Sequence, residues 1–243
     1  MIAKSGADGP SYPIGDTLDI GRSDGHIVVN EDPYLSPRHA RILFVQGRLI
    51  LRDLGSTNGL FIRLNPARDA YGRGRNAEGN PETTVFLADA DVILVGQQVL
   101  RFEVLKDAEA GLGPAMEHGT LLFGSPAAPR YARLCQRTVE GVTRDVHYVR
   151  KVETVLGRES GDVVFTEDPF LSRRHAAVRV LGKDGQPLAT NGKPAGEAVR
   201  FGLVDLGSSN GTFLKIRGDI ELLSGDHFRV GQQLFRVDVG DRG

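Results

Sequence analysis

Two sets of polar side chains recur along the chain in the same order. The first runs Gly21-Arg22, Ser36 with His39 three positions on, Asp53, then Thr57-Asn58-Gly59. The second runs Gly157-Arg158, Ser172 with His175, Asp205, then Ser209-Asn210-Gly211. Spelled as Ser-His-Asp, either set has the residue types of a nucleophilic triad, in which His takes the Ser proton and Asp orients the ring. Neither Ser lies in a Gly-x-Ser-x-Gly elbow and no oxyanion loop is evident, so hydrolysis is a poor reading. The six His and the single cysteine, Cys135, show no metal-ligand spacing. What distinguishes the sets is an Arg accompanied by hydroxyl and amide side chains.

The elements that position these residues are repeated too. EDPYLSPRHARILF from Glu31 returns as EDPFLSRRHAAVRV from Glu167, and RDLGSTNGLFI from Arg52 returns as VDLGSSNGTFL from Val204. LVGQQVLRFEV from Leu94 returns as RVGQQLFRVDV from Arg229. Ser36 and Ser172 are offset by 136 positions, Asp53 and Asp205 by 152, Gly96 and Gly231 by 135. The second copy therefore carries an insertion at roughly 181–198 and the first a similar one at roughly 64–83, both of surface-loop composition. Within each copy the period is two. Ala40–Phe44 and Arg48–Arg52 flank Gln46-Gly47, a hairpin signal, and Val99–Val104 and Leu234–Val239 largely alternate apolar with charged residues. No window shows a convincing helical period. Short strands separated by Gly turns predict an all-β chain of two tandem β-sandwiches: 1–106, a linker at 107–118, and 119–243. The residues most alike between copies are polar and sit in turns while the strands have drifted, which points to a site at one end of each sandwich.

Composition narrows the function. With 31 acidic against 30 basic residues, bulk charge gives no case for nucleic-acid or membrane-surface binding. One cysteine excludes an intrachain disulfide framework, no apolar run approaches a membrane span, and MIAKSGADGP lacks a signal-peptide profile, so a cytoplasmic address is expected. The basic, Gly-rich stretch Gly72–Arg75, taken with Arg63 and Arg68, reads as a solvated insertion.

Gly-Arg, Ser-x-x-His and Asn-Gly, in this order and twice over, resemble the forkhead-associated (FHA) domain, a phosphothreonine-peptide-binding β-sandwich of about eleven strands. A phosphate dianion calls for a planar bidentate donor with hydroxyl and amide donors around it. The resemblance implies that Arg22 and Arg158 bind phosphate, with Ser36 and Ser172 donating hydroxyl hydrogen bonds. Thr57 and Ser209 would line the same pocket, and Asn58 and Asn210 would clamp the peptide main chain. It implies a phosphate or ligand-backbone contact for Arg173, the residue after Ser172. The first copy has Pro37 there, with Arg38 next to it as a substitute, and has Leu60 where the pattern favours the Thr of Thr212. Gly21, Gly157, Gly59 and Gly211 would serve the backbone, by positive φ or close approach, and His39 and His175 would brace the loops. The expected protein is a non-enzymatic adaptor in Ser/Thr kinase signalling, without cofactor or metal, whose partners are threonine-phosphorylated proteins, a Ser/Thr kinase among the candidates. The competing class is a scaffold that binds without phosphate or self-associates.

Overall fold

The computed structural model describes residues 1–2, 6–65, 84–105, 115–124, 130–182, 185 and 199–239. Among these the regular structure is β throughout, in twenty strands, and no helix is long and apolar enough to cross a membrane. Most of both insertions, including Arg68 and the Gly72–Arg75 stretch, lies outside the described residues, whereas Arg63, read with that stretch as a solvated insertion, ends a strand paired on both sides.

The first repeat supplies β1 (Thr17–Gly21), β2 (Ile27–Val28), β3 (Ala40–Val45), β4 (Arg48–Asp53), β5 (Leu60–Arg63), β6 (Val85–Leu87), β7 (Val92–Val95) and β8 (Gln98–Val104). Exposure alternates along β5 and β7 as the period of two requires. The Gln46-Gly47 hairpin forms as the sequence indicates: Val45 pairs with Arg48, and both turn residues have positive φ, 50° and 80°. That is the twist a two-residue connection needs. Between the repeats, β9 (Met116–Glu117) and β10 (Thr120–Leu121) form a two-stranded hairpin that begins in the segment read as linker and ends just beyond it. Its turn is His118-Gly119, with φ of 50° and 77°, and so small a unit leaves no periodicity in the sequence. The second repeat supplies β11 (Ala132–Arg137), β12 (Thr143–Val149), β13 (Glu153–Gly157), β14 (Val163–Val164), β15 (Ala176–Leu181), β16 (Arg200–Asp205), β17 (Thr212–Lys215), β18 (Ile220–Leu222), β19 (His227–Val230) and β20 (Gln233–Arg236).

Strand pairing divides the chain differently from the repeats. One five-stranded sheet runs β18-β4-β3-β1-β2 and another β14-β13-β15-β16-β6. Each thus recruits an edge strand from the other repeat: Glu221 pairs with Ile50, and Gly202 with Phe86. A single eight-stranded sheet, β12-β11-β8-β7-β17-β5-β19-β20, backs both. The two packed units meet in it at the antiparallel pair β5–β17, with Ile62 opposite Leu214.

The buried side chains sort the same way. One core unites Ile20, Ile42, Leu51 and Ile62 with Ile216, Leu222, Phe228 and Phe235; the second unites Val85, Ile93, Leu100 and Phe102 with Leu134, Leu156, Val178 and Leu214. The trio β18–β20 of the second repeat therefore completes the sandwich begun by β1–β5, and β6–β8 of the first repeat completes the sandwich of β11–β17. The division at 106 and 119 describes the repeats, whereas the packed units are interleaved. Two trios with the same alternating apolar faces can fill either sandwich, which is the physical basis of strand exchange. The sandwiches hold eight and ten strands among the described residues, somewhat fewer than the eleven or so implied by the resemblance.

Candidate functional site

The loops after β1, before β3 and before β5 meet at one end of the first sandwich. Gly21 ends β1 with its Cα against the main chain of the Ser36–Arg38 loop; a Cβ there would overlap the carbonyl oxygens of Pro37 and Asp24. Close approach, not positive φ, is what demands glycine. It lets the Arg22 amide donate to Ser36 O at 2.9 Å, and the Ser23 and Asp24 amides to Pro37 O at 3.3 and 3.0 Å. The second repeat has the same geometry. Arg158 N donates to Ser172 O at 3.0 Å, and Glu159 and Ser160 donate to Arg173 O at 3.4 and 3.1 Å. In both repeats the residue after Ser serves the loop through its carbonyl, a role that Pro37 fills as Arg173 does.

His39 and His175 are fully buried. Nδ1 of His39 accepts from Ser36 N at 3.0 Å, which leaves the proton on Nε2, donated to Gly59 O at 3.1 Å. His175 ties Ser172 N (3.2 Å) to Gly211 O (3.1 Å) in the same manner. Both ring nitrogens are committed to backbone, and burial pushes both imidazoles below their ordinary pKa. Asp53 accepts instead from Ser56, and Asp205 from Ser208 and Thr212. The Ser-His-Asp spelling is therefore not a catalytic triad: neither imidazole faces a Ser hydroxyl, and neither Asp orients an imidazole.

The braced loops converge at the two Ser hydroxyls. Ser36 Oγ accepts from Thr57 N at 3.0 Å, and Ser172 Oγ from Ser209 N at 3.1 Å. Among the described residues neither hydroxyl donates a hydrogen bond, which leaves its proton for an incoming anion. Asn58 Nδ2 donates to Tyr34 O at 2.9 Å and Asn210 Nδ2 to Phe170 O at 2.8 Å, pinning each Asn between two loops, and among the described residues neither amide oxygen has a hydrogen-bond donor. Gly59 and Gly211 follow with φ of 78° and 81°, a conformation that favours glycine. Leu60 is fully buried, and its counterpart Thr212 is buried with its hydroxyl on Asp205. That difference between the repeats lies in the core, away from the pocket.

The basic groups differ between the sites. Among the described residues the Arg22 side chain meets no hydrogen-bonding or ionic partner, whereas Arg158 is held by its neighbour, Nη2 and Nε lying 2.7 and 3.2 Å from Glu159 Oε1. Arg173 Nε lies 3.7 Å from the other oxygen of the same carboxylate and is 78% exposed. Glu159, where the first repeat has Ser23, sits between the two guanidiniums expected to meet phosphate. Arg38 leans on Asp24 (3.5 Å) and Asp19 (3.9 Å), so it is engaged with carboxylates beside the first pocket.

Sequence reasoning passed over one layer. Asp32 is almost fully buried beneath the first site; Oδ1 accepts from Tyr34 N, and Oδ2 from Gln232 N at 2.8 Å and Gln233 Nε2 at 2.9 Å. Asp168 does the same beneath the second, accepting from Phe170 N, Gln97 N at 2.8 Å and Gln98 Nε2 at 2.7 Å. Each site is thus propped by the Gly-Gln-Gln turn of the other repeat. The signal was present in the repeated Glu-Asp-Pro and Gly-Gln-Gln strings, but nothing in a linear reading joins them.

Comparison with known proteins bears on this geometry. The FHA domain family profile matches residues 18–96 and 154–231. An FHA domain-containing protein of Arabidopsis thaliana is 33% identical over 91 residues, 37% of this chain but 20% of the plant protein's length. An oxoglutarate dehydrogenase inhibitor of Corynebacterium diphtheriae is 29% identical over 144 residues, 58% of this chain and 87% of the inhibitor. Among solved structures, Mycobacterium tuberculosis EmbR in complex with a low-affinity phosphopeptide aligns over 44% of this chain and 28% of EmbR, at 23% identity and a TM-score of 0.19.

Proposed function

Since the chain belongs to the FHA domain family, with a match in each repeat, we propose that it is a phosphothreonine-peptide adaptor with two sites, coupling Ser/Thr kinase output to a protein assembly. The observation that carries this reading is the convergence, in both repeats, of an Arg held at a Gly turn, a Ser hydroxyl with its proton uncommitted, and an Asn pinned beside it. This donor set suits a phosphate dianion with adjacent peptide main chain. Arg22, Ser36 and Thr57 form the first pocket with Asn58 at its edge; Arg158, Ser172, Arg173, Ser209 and Asn210 form the second. Arg38, on its carboxylates, is a less direct contributor. The Corynebacterium relative is named as an inhibitor, which fits a protein that acts by binding.

Calorimetric titration with an oriented phosphothreonine peptide pool tests the proposal. Wild type should bind with micromolar affinity, Arg22→Ala and Arg158→Ala should each remove one class of site, and the double variant should bind nothing. Equal binding of the unphosphorylated pool would refute it and favour a phosphate-independent scaffold.

A further inference from the structure

The β5–β17 pairing places a cation from each repeat on the binding turn of the other. Lys215, at the end of β17, lies across the Asn58-Gly59 turn of the first site: a Cβ on Gly59 would overlap its Cε and stand 2.7 Å from its Nζ. Arg63, at the end of β5, lies across the Asn210-Gly211 turn, where a Cβ on Gly211 would overlap its Nε and stand 2.8 Å from Cζ. The two residues occupy equivalent positions, each four after the glycine of its own repeat. The near-two-fold arrangement follows from the β5–β17 pairing, in which Arg63 stands opposite Phe213 and Lys215 opposite Phe61. Neither cation has a carboxylate partner among the described residues, although the Arg side chains at positions 41, 52, 133, 179, 217 and 236 all do. Both cations also lie near the bracing imidazoles: burial is the main cause that pushes His39 and His175 down, and Lys215 and Arg63 act on them in the same direction.

Resting on the phosphopeptide reading of these sites, we propose that Lys215 and Arg63 are cross-repeat specificity residues, each selecting an acidic side chain beside the phosphothreonine of a peptide bound at the other repeat's turn. A peptide clamped at Asn58 passes next to Gly59, where the missing Cβ leaves room for the end of the Lys215 side chain, Cε and Nζ. An uncompensated cation there favours a carboxylate over a neutral residue of the same shape, with the modest strength of a partly exposed ion pair.

The test uses the full chain and phosphothreonine peptides that differ only in Glu or Gln, walked from three residues before to three after the phosphothreonine. Arg158→Ala isolates the first site and Arg22→Ala the second, with fluorescence anisotropy as the readout. At one or more peptide positions each isolated site should prefer Glu over Gln by about two- to five-fold. Lys215→Ala should erase the preference at the first site and Arg63→Ala at the second, while binding of the Gln peptides stays phosphate-dependent. Lys215→Glu should reverse the preference at the first site, and circular dichroism melts should show that the variants fold. If each substitution acts on its own repeat's site, or neither changes the Glu/Gln ratio, the inference is overturned and the phosphopeptide reading stands. If the Gln peptides bind equally with and without phosphate, the phosphopeptide reading fails and this inference falls with it.

Discussion

Replacing Glu159 by Ser should strengthen the second site, and the structure allows the gain to be worked out. In the free protein the Glu159 carboxylate holds Arg158 at 2.7 Å and faces Arg173 at 3.7 Å, so a phosphate must displace it and then remain beside it. Arg158 and Glu159 side chains are 36% and 50% exposed, so breaking their pair costs only the ~0.2–1 kcal/mol of a solvated ion pair. The displaced carboxylate then repels a dianion at roughly 4 Å, worth up to about 1–2 kcal/mol even at the dielectric of water and less once salt screens it. Together these give about 1–2 kcal/mol, or a gain in affinity of about five- to thirty-fold. The assay is fluorescence anisotropy with a labelled phosphothreonine peptide in an Arg22→Ala background, so that only the second site reports. A salt series should shrink the gain, because both contributions are screened. The mirror substitution, Ser23→Glu in an Arg158→Ala background, should weaken the first site by a similar factor. Unchanged or weaker binding by Glu159→Ser would show that the carboxylate does not compete for the arginines and would sink the reasoning.

Other expectations follow from the same geometry. Asp168→Ala removes the acceptor shared by Gln97 N, Gln98 Nε2 and Phe170 N; it should cost about 1–3 kcal/mol in a thermal melt and loosen the second site. Gly157→Ala forces a Cβ onto the carbonyl oxygens of Arg173 and Ser160 and should abolish phosphopeptide binding at the second site, read by titration in the Arg22→Ala background. Burial lowers the folded pKa of His39 and His175, so below the unfolded value of about 6.5 the unfolded chain binds more protons than the folded one. Stability should therefore be full above pH 6.5 and fall as the pH drops toward the depressed folded values, with chemical denaturation at stepped pH as the check. The two Asn-Gly turns lie at opposite ends of β5–β17, about 25 Å apart at ~3.3 Å per residue, since Leu64 N bonds Thr212 O. Doubly phosphorylated peptides with fewer than about eight residues between phosphothreonines should show no avidity over singly phosphorylated ones.

How far the sequence carried depended on whether a signal was local. The Gln46-Gly47 hairpin, the alternating strands and the polar turns around Arg22, Ser36 and Asn58 are encoded within a few residues of themselves, and all are legible. Leu60 and Thr212 show the limit of motif reading: they sit in line with binding residues, yet the strand directs them into the core. Glu159 was silent because a carboxylate next to an Arg is ordinary in a list of residues and consequential only when a second guanidinium faces it. The interleaving of the repeats was illegible for a deeper reason. Since β6–β8 and β18–β20 carry nearly the same apolar pattern, the pattern specifies that a trio completes a sandwich but not which trio. With that information missing, the Gln98–Asp168 and Gln233–Asp32 props and the positions of Arg63 and Lys215 were beyond reach as well.

Interleaving also sets the order in which the cores become available during synthesis. The N-terminal core needs Ile220–Phe235, whose partners Leu49–Leu51 emerge from the ribosome about 170 residues earlier. The C-terminal core draws on 85–104 and 132–214, so it is complete while the older strands β1–β5 still lack their closing trio. A chain that begins to fold from its amino end would thus finish there last, at the cost of closing a very long loop. Until then the nascent first half has only its own β6–β8 with which to cover its apolar face. A slow folding phase that disappears when β18–β20 are already in place is the kinetic signature this topology predicts.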